Sequence, residues 1–500
     1  MSPVEGISVA AAATIERLAG KMLIGGDWVA AVSGETQNVT NPATAEVFTH
    51  VPSSGASDVD TAVDAARAAF QNPKWAEMRP SHRQRAILKL ADLLEANIDE
   101  LAELESLDNG KPVTMANRVD VRGSIEYLRY IAGWATKIEG STVDVSFPRP
   151  RGGGNYFAYT RQEPVGVVGA IIPWNFPLNM AVWKVGPALA TGCTVVLKPA
   201  SETPLTALRF GELILEAGFP EGVVNFITGS GSVVGAAMSS HPGIDKIAFT
   251  GSTEVGRTVG LSAMDRIARV SLELGGKSPV IVFDDANLDA AIPGAASAIF
   301  FNQGQACTAG SRLYVQRSIF DQFVEGVAAR AAKMKIGPGL DPTTQMGPLV
   351  SHRQRNTVCE YIEKGLAQGA KLVAGGGRPD LPGYFLEPTI LVDMPQSSTV
   401  VQEEIFGPVL VAIPFDDADE AVALANDSPY GLAASIWSSN LSTVHRLTPK
   451  IQAGTVWVNC HNLLDPNLPF GGCKLSGVGR EMGRAVLDLY TETKSVLMAV

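Results

Sequence analysis

The sequence predicts an α/β protein with two parallel-sheet domains and a small β arm. Three observations predict it: the length of the chain, the alternation of short β-rich runs with helical runs, and one Pro/Gly/Arg-rich excursion that interrupts the alternation. At 500 residues the chain exceeds one ordinary hydrophobic core. Strands alternating with helices build a parallel sheet covered on both faces.

The elements follow in order. The N-terminal MSPVEGISVAAAATIERLAGK has no basic region ahead of its alanines and is not Arg-rich, so it reads as a loose leader of a cytoplasmic protein. From about residue 57 to 137 the pattern is helical. SDVDTAVDAARAAF opens on a Ser57/Asp58 cap, and RQRAILKLADLLEANIDELAELESL runs on to the Asn-Gly and Lys-Pro break of DNGKP. Gly140–Ala158, with FPRPRGGGNYF, reads as an exposed hairpin leaving the compact domain. Strand VGVVGAII, helix LNMAVWKVGPALATG, strand CTVVLKP, helix TALRFGELILEAG and strand VVNFITG come next, then strand KIAFTGS and TEVGRTVGLSAM. A second series starts at SPVIVFDDA, with helix DAAIPGAASAIF, then RLYVQ, FDQFVEGVAARAAKM and LVAIPFDDADEAVALAND. The domain boundary is expected near Gly275–Gly276. The last strand, TETKSVLMA, is expected to pair with the excursion or with another subunit.

A net charge of -11 and a pI near 5.2 argue against a nucleic-acid partner, which needs a basic footprint. Five cysteines, an odd and sparse set with no CxxC pair, argue against a disulfide framework or a zinc site and for a reducing compartment. Pro164–Trp183 is uncharged over the length of a membrane span. Its three prolines and two asparagines would leave polar groups unpaired in lipid, so no membrane association is expected.

Three groups of residues carry chemistry. In FNQGQACTAGSR, Cys307 ends an apolar helix among small residues; it is either a buried structural cysteine or a nucleophile. In SLELGGKSP, Glu273 lies between leucines, either as a salt-bridged boundary residue or as a base whose pKa is raised by burial. KPASETP, ITGSG and FTGSTEVG each follow a strand, where open α/β sheets bind ligands and helix N-termini meet anions. FTGSTEVG is not the GxGxxG fingerprint, and each glycine turn alone is weak.

Taken together, PWNFP, KP with Thr203-Pro204, FTGS, ELGGKSP, the Cys307 motif, EEIFGP and PFGG-K-SG-GRE stand in a fixed order. That series closely resembles the aldehyde dehydrogenase superfamily, from about residue 20 to the C-terminus. The resemblance implies two Rossmann-like domains. The cofactor-binding domain would be 1–139 with 161–275, and the catalytic domain 276–484. Segments 140–160 and 485–500 would form an oligomerisation arm of a dimer or tetramer.

By the same resemblance Cys307 attacks a small-molecule aldehyde. The Asn175 amide and the Cys307 N–H stabilise the resulting oxyanion, whose collapse to a thioester passes hydride to NAD or NADP. Glu273 activates the hydrolytic water, and Lys184 and Glu481 match positions tied to proton movement. Trp174, Lys198, Ser201, Gly229, Gly251, Ser252, Glu404 and Phe406 match cofactor contacts. None of the six histidines falls in these motifs.

Ser201 replaces a glutamate common in NAD-specific relatives, which opens the choice between NAD and NADP. Ala306 stands where cysteine is frequent. The positions matching the aldehyde tunnel are Phe176, Asn179, Met180, Trp183, Phe301, Asn462, Leu464 and Phe470. They are mostly apolar and aromatic and include no arginine to clamp a second carboxylate. Within the superfamily, RQEPVGVVGAIIPWNFPL and NCHNLLDPNLPFGG look most like the phenylacetaldehyde dehydrogenases. Two rivals differ. A CoA-acylating branch generally lacks the base glutamate, and a retired binding protein would tolerate loss of Cys307, Asn175 or Glu273. All three residues are present.

Overall fold

A computed structural model describes residues 6–148 and 153–500; the first five residues of the expected leader and residues 149–152 of the expected hairpin lie outside the described residues. Helices fill the expected helical run: α1 (Ala56–Gln71), α2 (Pro80–Ala96), α3 (Ile98–Asn109) and α4 (Arg122–Trp134). The cap of α1 differs from expectation. Gly55 is the capping residue, and Asp58 sits in the first turn. Its carboxylate accepts the Gly55 N–H and the Val32 N–H, both at 2.9 Å. One side chain thereby satisfies two separated segments, which Ser57 could not reach. At the DNGKP break α3 stops on Gly110 with φ +91°. A Cβ there would also meet Pro42 and Pro348 within 3 Å, so glycine is required twice over.

Five parallel strands follow: β1 (Val167–Ile171), β2 (Thr194–Lys198), β3 (Val224–Phe226), β4 (Lys246–Thr250) and β5 (Arg269–Glu273). They lie side by side as β3-β2-β1-β4-β5. Every residue of β1 and β2 is buried, as a sheet covered on both faces demands. Covering helices include α5 (Pro177–Thr191), α6 (Leu205–Ala217) and α7 (Thr253–Met264). Chain direction reverses its sideways progress between β1 and β4, the point where such sheets open a crevice at their carboxyl ends.

The second parallel series contains β6 (Pro279–Val282), β7 (Arg312–Gln316), β8 (Thr389–Val392), β9 (Val409–Phe415), β10 (Ala433–Trp437) and β11 (Thr455–Val458). Their order is β8-β9-β7-β6-β10-β11, with antiparallel Lys371–Ala374 at the β8 edge. Helix α8 (Leu288–Phe300) packs on this sheet through Ala295, Ile299 and Phe300.

The C-terminal strand Thr491–Ala499 pairs antiparallel with Tyr156–Pro164 of the same chain, Thr491 opposite Pro164 and Ala499 opposite Tyr156. The arm strand therefore runs past Ala158 to Pro164. The chain also rejoins the first sheet at Gly477–Val478, ahead of residue 484, pairing with Leu272 and Glu273 of β5. Gly477 makes this possible: at φ +136° its added Cβ would lie 2.0 Å from the Leu272 carbonyl. No helix among the described residues is long and apolar enough to cross a membrane.

Candidate active site

The register of the first sheet brings distant residues to one edge. Ile171 lies opposite Lys198 and Phe249, and Thr250 lies opposite Glu273. The loops leaving these strands carry Trp174, Asn175, Ser201, Gly229, Gly251 and Ser252. Facing them are the approaches to β6, β7 and β9, which carry Gly276, Cys307 and Glu404. Within that facing side Gly276 and Cys307 pack closely: a Cβ on Gly276 would lie 2.3 Å from the Cys307 carbonyl.

Asn175 donates its side-chain amide to the Gln305 carbonyl at 3.0 Å. That carbonyl belongs to the segment leading to Cys307, so the amide is held beside the thiol's own loop. The loop is shaped by Asn302 and Gln303, both left-handed at φ +48° and +57°, a conformation that costs energy outside glycine and recurs at functional sites. Cys307 is partly open to the cleft. Burial, then the carboxylates of Glu404 and Glu273, push its thiol up to about 12.

Glu273 closes β5 and is 5% exposed. Its Oε2 is buried without a hydrogen-bond partner among the described residues. Burial, reinforced by Glu481, holds its pKa well above the usual carboxylate range, while Lys184 and Arg480 pull it down. Lys184, from α5, donates to Glu481 at 2.5 Å, and both side chains are sealed from solvent.

The expected cofactor residues form a shelf along the same edge. Lys198 is buried and donates only to its neighbour's carbonyl, Pro199 O, at 2.9 Å; burial lowers its pKa to about 8. Ser201 donates to the Gly229 carbonyl at 3.2 Å, tying the two loops. Gly229 has φ +138°, and a Cβ on it would strike Val234 at 2.6 Å. Gly251 is as confined, with Phe249 2.6 Å from an added Cβ. Ser252 caps the twelve-residue α7, its Oγ accepting the Val255 N–H at 3.4 Å. Glu404 accepts the Gly276 N–H at 2.9 Å, and burial raises its pKa to about 7. Trp174 and Phe406 meet edge to face at 5.2 Å, with Phe406 held left-handed at φ +57°.

The model of the aldehyde dehydrogenase family matches residues 28–496. The chain belongs to the aldehyde dehydrogenase family. A phenylacetaldehyde dehydrogenase of Pseudomonas fluorescens is 52% identical over 485 residues, covering 97% of this chain and 96% of that one. Retinal dehydrogenase 2 of Gallus gallus is 48% identical over 482 residues, covering 96% and 92%. A Bacillus cereus aldehyde dehydrogenase solved in complex with NAD+ superposes with a TM-score of 0.96 at 48% identity, covering both chains fully.

The cofactor in that Bacillus cereus complex is NAD+. The shelf fits that cofactor chemically. The N-terminus of α7 offers N–H groups to a pyrophosphate. Lys198 is a buried cation that forms no salt bridge among the described residues, although Glu202 is close enough to raise its pKa, and Glu404 is a buried acceptor of the kind a ribose hydroxyl satisfies.

Around the thiol, the expected tunnel residues divide. Phe176 stacks on Phe301 at 5.9 Å, and Trp183 meets Phe470 edge to face at 5.7 Å. Met180 is buried on α5. Asn179 is buried on α5, and its Oδ1 accepts the Ser124 hydroxyl at 2.9 Å. Asn462, at φ +58°, accepts the Thr308 hydroxyl at 2.7 Å, and its Nδ2 is buried without a partner. Leu464 is exposed on the following loop.

Several polar residues at the site escaped sequence reasoning. His461 bonds the Thr308 carbonyl through Nε2 at 2.9 Å, and burial lowers its pKa to about 4, so it braces the residue after Cys307 as a neutral ring. Asn302 and Gln305 shape the Cys307 segment, and Asn109 and Lys111 reach the PWNFP loop. The only signal was their place inside DNGKP, FNQGQACTAGSR and NCHNLLDPNLPFGG.

Proposed function

We propose that the enzyme oxidises arylacetaldehydes such as phenylacetaldehyde to carboxylic acids through a thioester on Cys307. The observation that carries the reading is the convergence on one cleft of a partly open thiol, a braced amide and a buried carboxylate with a free oxygen.

The Cys307 thiol gives up its proton to solvent water, its Sγ forms a bond to the aldehyde carbon, and the carbonyl π pair moves onto oxygen. The Asn175 Nδ2–H and the Cys307 backbone N–H receive that oxyanion; one such donor is typically worth about two to three orders of magnitude in rate. NAD, when held by the residues named below, would supply a positive charge and the hydride acceptor that oxidation of the adduct to a thioester requires. Glu273 Oε2 then takes a proton from water, whose oxygen attacks the thioester carbon. The C–S bond breaks, and the sulfur leaves as thiolate. Lys184 and Glu481 set the proton affinity of Glu273. Lys198, Ser201, Gly229, Gly251, Ser252, Glu404, Trp174 and Phe406 hold the dinucleotide.

The substrate class rests on the two aromatic pairs and on the likeness to the Pseudomonas fluorescens enzyme. A phenyl ring gains edge-to-face or offset contact from such walls, about 0.5–1.5 kcal/mol beyond its burial. Because Ser201 leaves no carboxylate opposite a 2′-phosphate, NADP is accepted beside NAD. The arm supports assembly into a dimer or tetramer. Its outer strand, Thr491–Ala499, is paired on one side only, and Leu497 and Met498 are exposed.

Reduced-cofactor absorbance tests the reading with phenylacetaldehyde, benzaldehyde, hexanal, betaine aldehyde and succinate semialdehyde. Phenylacetaldehyde should give the highest kcat/KM. A tenfold advantage for hexanal or betaine aldehyde overturns the substrate class, and turnover by Cys307→Ala overturns the chemistry.

A further inference from the structure

The DNGKP turn does more than end α3. Asn109 donates its amide to the Trp174 carbonyl at 2.7 Å, and Lys111 donates its ammonium to the Asn175 carbonyl at 2.9 Å. These are consecutive carbonyls of the PWNFP loop. Pro173 and Pro177 keep that loop out of helix and strand, so its buried carbonyls need donors from elsewhere. Just beyond the loop, Leu178 N–H points at the Glu105 carboxylate of α3, at 3.3 Å and 3.4 Å.

Lys111 is itself locked. Its side chain is wholly buried. Its ammonium lies 2.7 Å from Asp120 and 3.6 Å from Glu105, and 4.5 Å from the Phe176 ring centroid. Its carbonyl accepts the Ser106 hydroxyl at 2.6 Å. A second donor reaches the same Asn175 carbonyl from the opposite side of the cleft: Asn302 Nδ2, at 2.9 Å. Asn302 also donates to the Gln305 carbonyl at 3.2 Å, the acceptor that the Asn175 side chain uses. Asn175 is thus gripped at its backbone by both domains while its amide is aimed at the Cys307 segment.

We propose that Lys111 and Asn302 are positioning residues for the oxyanion site, fixing the Asn175 amide relative to Cys307. The proposal rests on the oxyanion role given to Asn175 above. A charge-assisted bond from a packed lysine is a stiffer tether than a neutral one. Displacing a reacting group by about 1 Å can cost on the order of 100-fold in rate.

The test uses the full-length enzyme with NAD and phenylacetaldehyde. Lys111→Met alone strands two buried carboxylates, whereas Lys111→Met with Asp120→Asn removes the ammonium with its nearer counter-charge, a change that buried pairs tolerate, and leaves Glu105 on the Thr206 hydroxyl and the Leu178 N–H. Asn302→Gly deletes the second tether, and glycine accepts the left-handed backbone, so it carries the test if the double variant does not fold. The first-turnover burst of NADH should slow about 10- to 100-fold in both variants, with NAD affinity within about twofold of wild type. In an Asn175→Ala background the same changes should slow the burst no further, because coupled residues are not additive. An unchanged burst in the variants, or an equal fold-loss with and without Asn175, overturns the proposal. A normal burst in Asn175→Ala itself overturns the oxyanion role and, with it, this inference.

Discussion

Lys184 and Glu481 form a sealed ion pair, 2.5 Å apart, and its two members act on Glu273 with opposite sign. Glu481 raises the pKa of Glu273 and Lys184 lowers it. A base with a raised pKa gains its working, deprotonated form as pH rises and loses it as pH falls through that pKa. The acid limb of the pH–rate profile should therefore move in opposite directions in two variants. Glu481→Gln should shift it to lower pH, and Lys184→Met should shift it to higher pH. Profiles of kcat in which both variants move the same way would remove the pair from control of the base.

Glu273→Gln separates the two halves of the reaction. Its carboxylate is the buried acceptor with a free oxygen at this edge, so its loss should leave thioester formation and slow hydrolysis. Stopped-flow mixing should show a burst of NADH followed by a steady state about two to four orders of magnitude slower. Loss of the burst in folded protein would place Glu273 at an earlier step.

The high pKa of the Cys307 thiol predicts a quiet nucleophile in the cofactor-free enzyme. Burial and the carboxylates of Glu404 and Glu273 hold the thiol at about 12, and only the thiolate reacts. Iodoacetamide labelling, corrected with Cys307→Ala for the other four cysteines, should rise about tenfold per pH unit through neutral and mildly alkaline pH. NAD should accelerate it at fixed pH. A plateau near pH 7 without cofactor would show a thiolate already formed.

Much of this was legible because burial and chain order leave plain marks. The β-rich runs at VGVVGAII and CTVVLKP became strands buried on both faces, and the strand-end motifs delivered Asn175, Lys198, Ser252 and Glu273 to one edge through the sheet's own register. What stayed hidden depends on contacts between segments far apart in sequence. DNGKP reads as a helix stop, which it is, but its grip on Trp174 and Asn175 spans more than sixty residues. The brace of His461 on Thr308 spans 153. Asn179 reads as a polar tunnel residue, and the bond its Oδ1 accepts from the Ser124 hydroxyl on α4 was not visible in the sequence. Spacing on α5 gives its face only coarsely, and a single hydroxyl on α4 decides where the side chain points.

Cofactor choice turns on Ser201. Its hydroxyl is occupied by the Gly229 carbonyl at 3.2 Å, so it offers neither a carboxylate to repel a 2′-phosphate nor a free donor to bind one. Lys198 stands nearby as a buried cation, though burial lowers its pKa to about 8, so its attraction for a phosphate weakens as pH rises toward that value. Wild type should accept both cofactors, with NAD at least equal, and its relative use of NADP should fall between pH 7 and 9. Ser201→Glu should lose NADP activity far more than NAD activity. A discrimination of about 1.4 kcal/mol already gives tenfold, and a buried like-charge contact exceeds that readily. The comparison is kcat/KM for both cofactors in both proteins at pH 7. If wild type already rejects NADP by several orders of magnitude, Ser201 is not the gate, and the exclusion comes from another group beside Lys198.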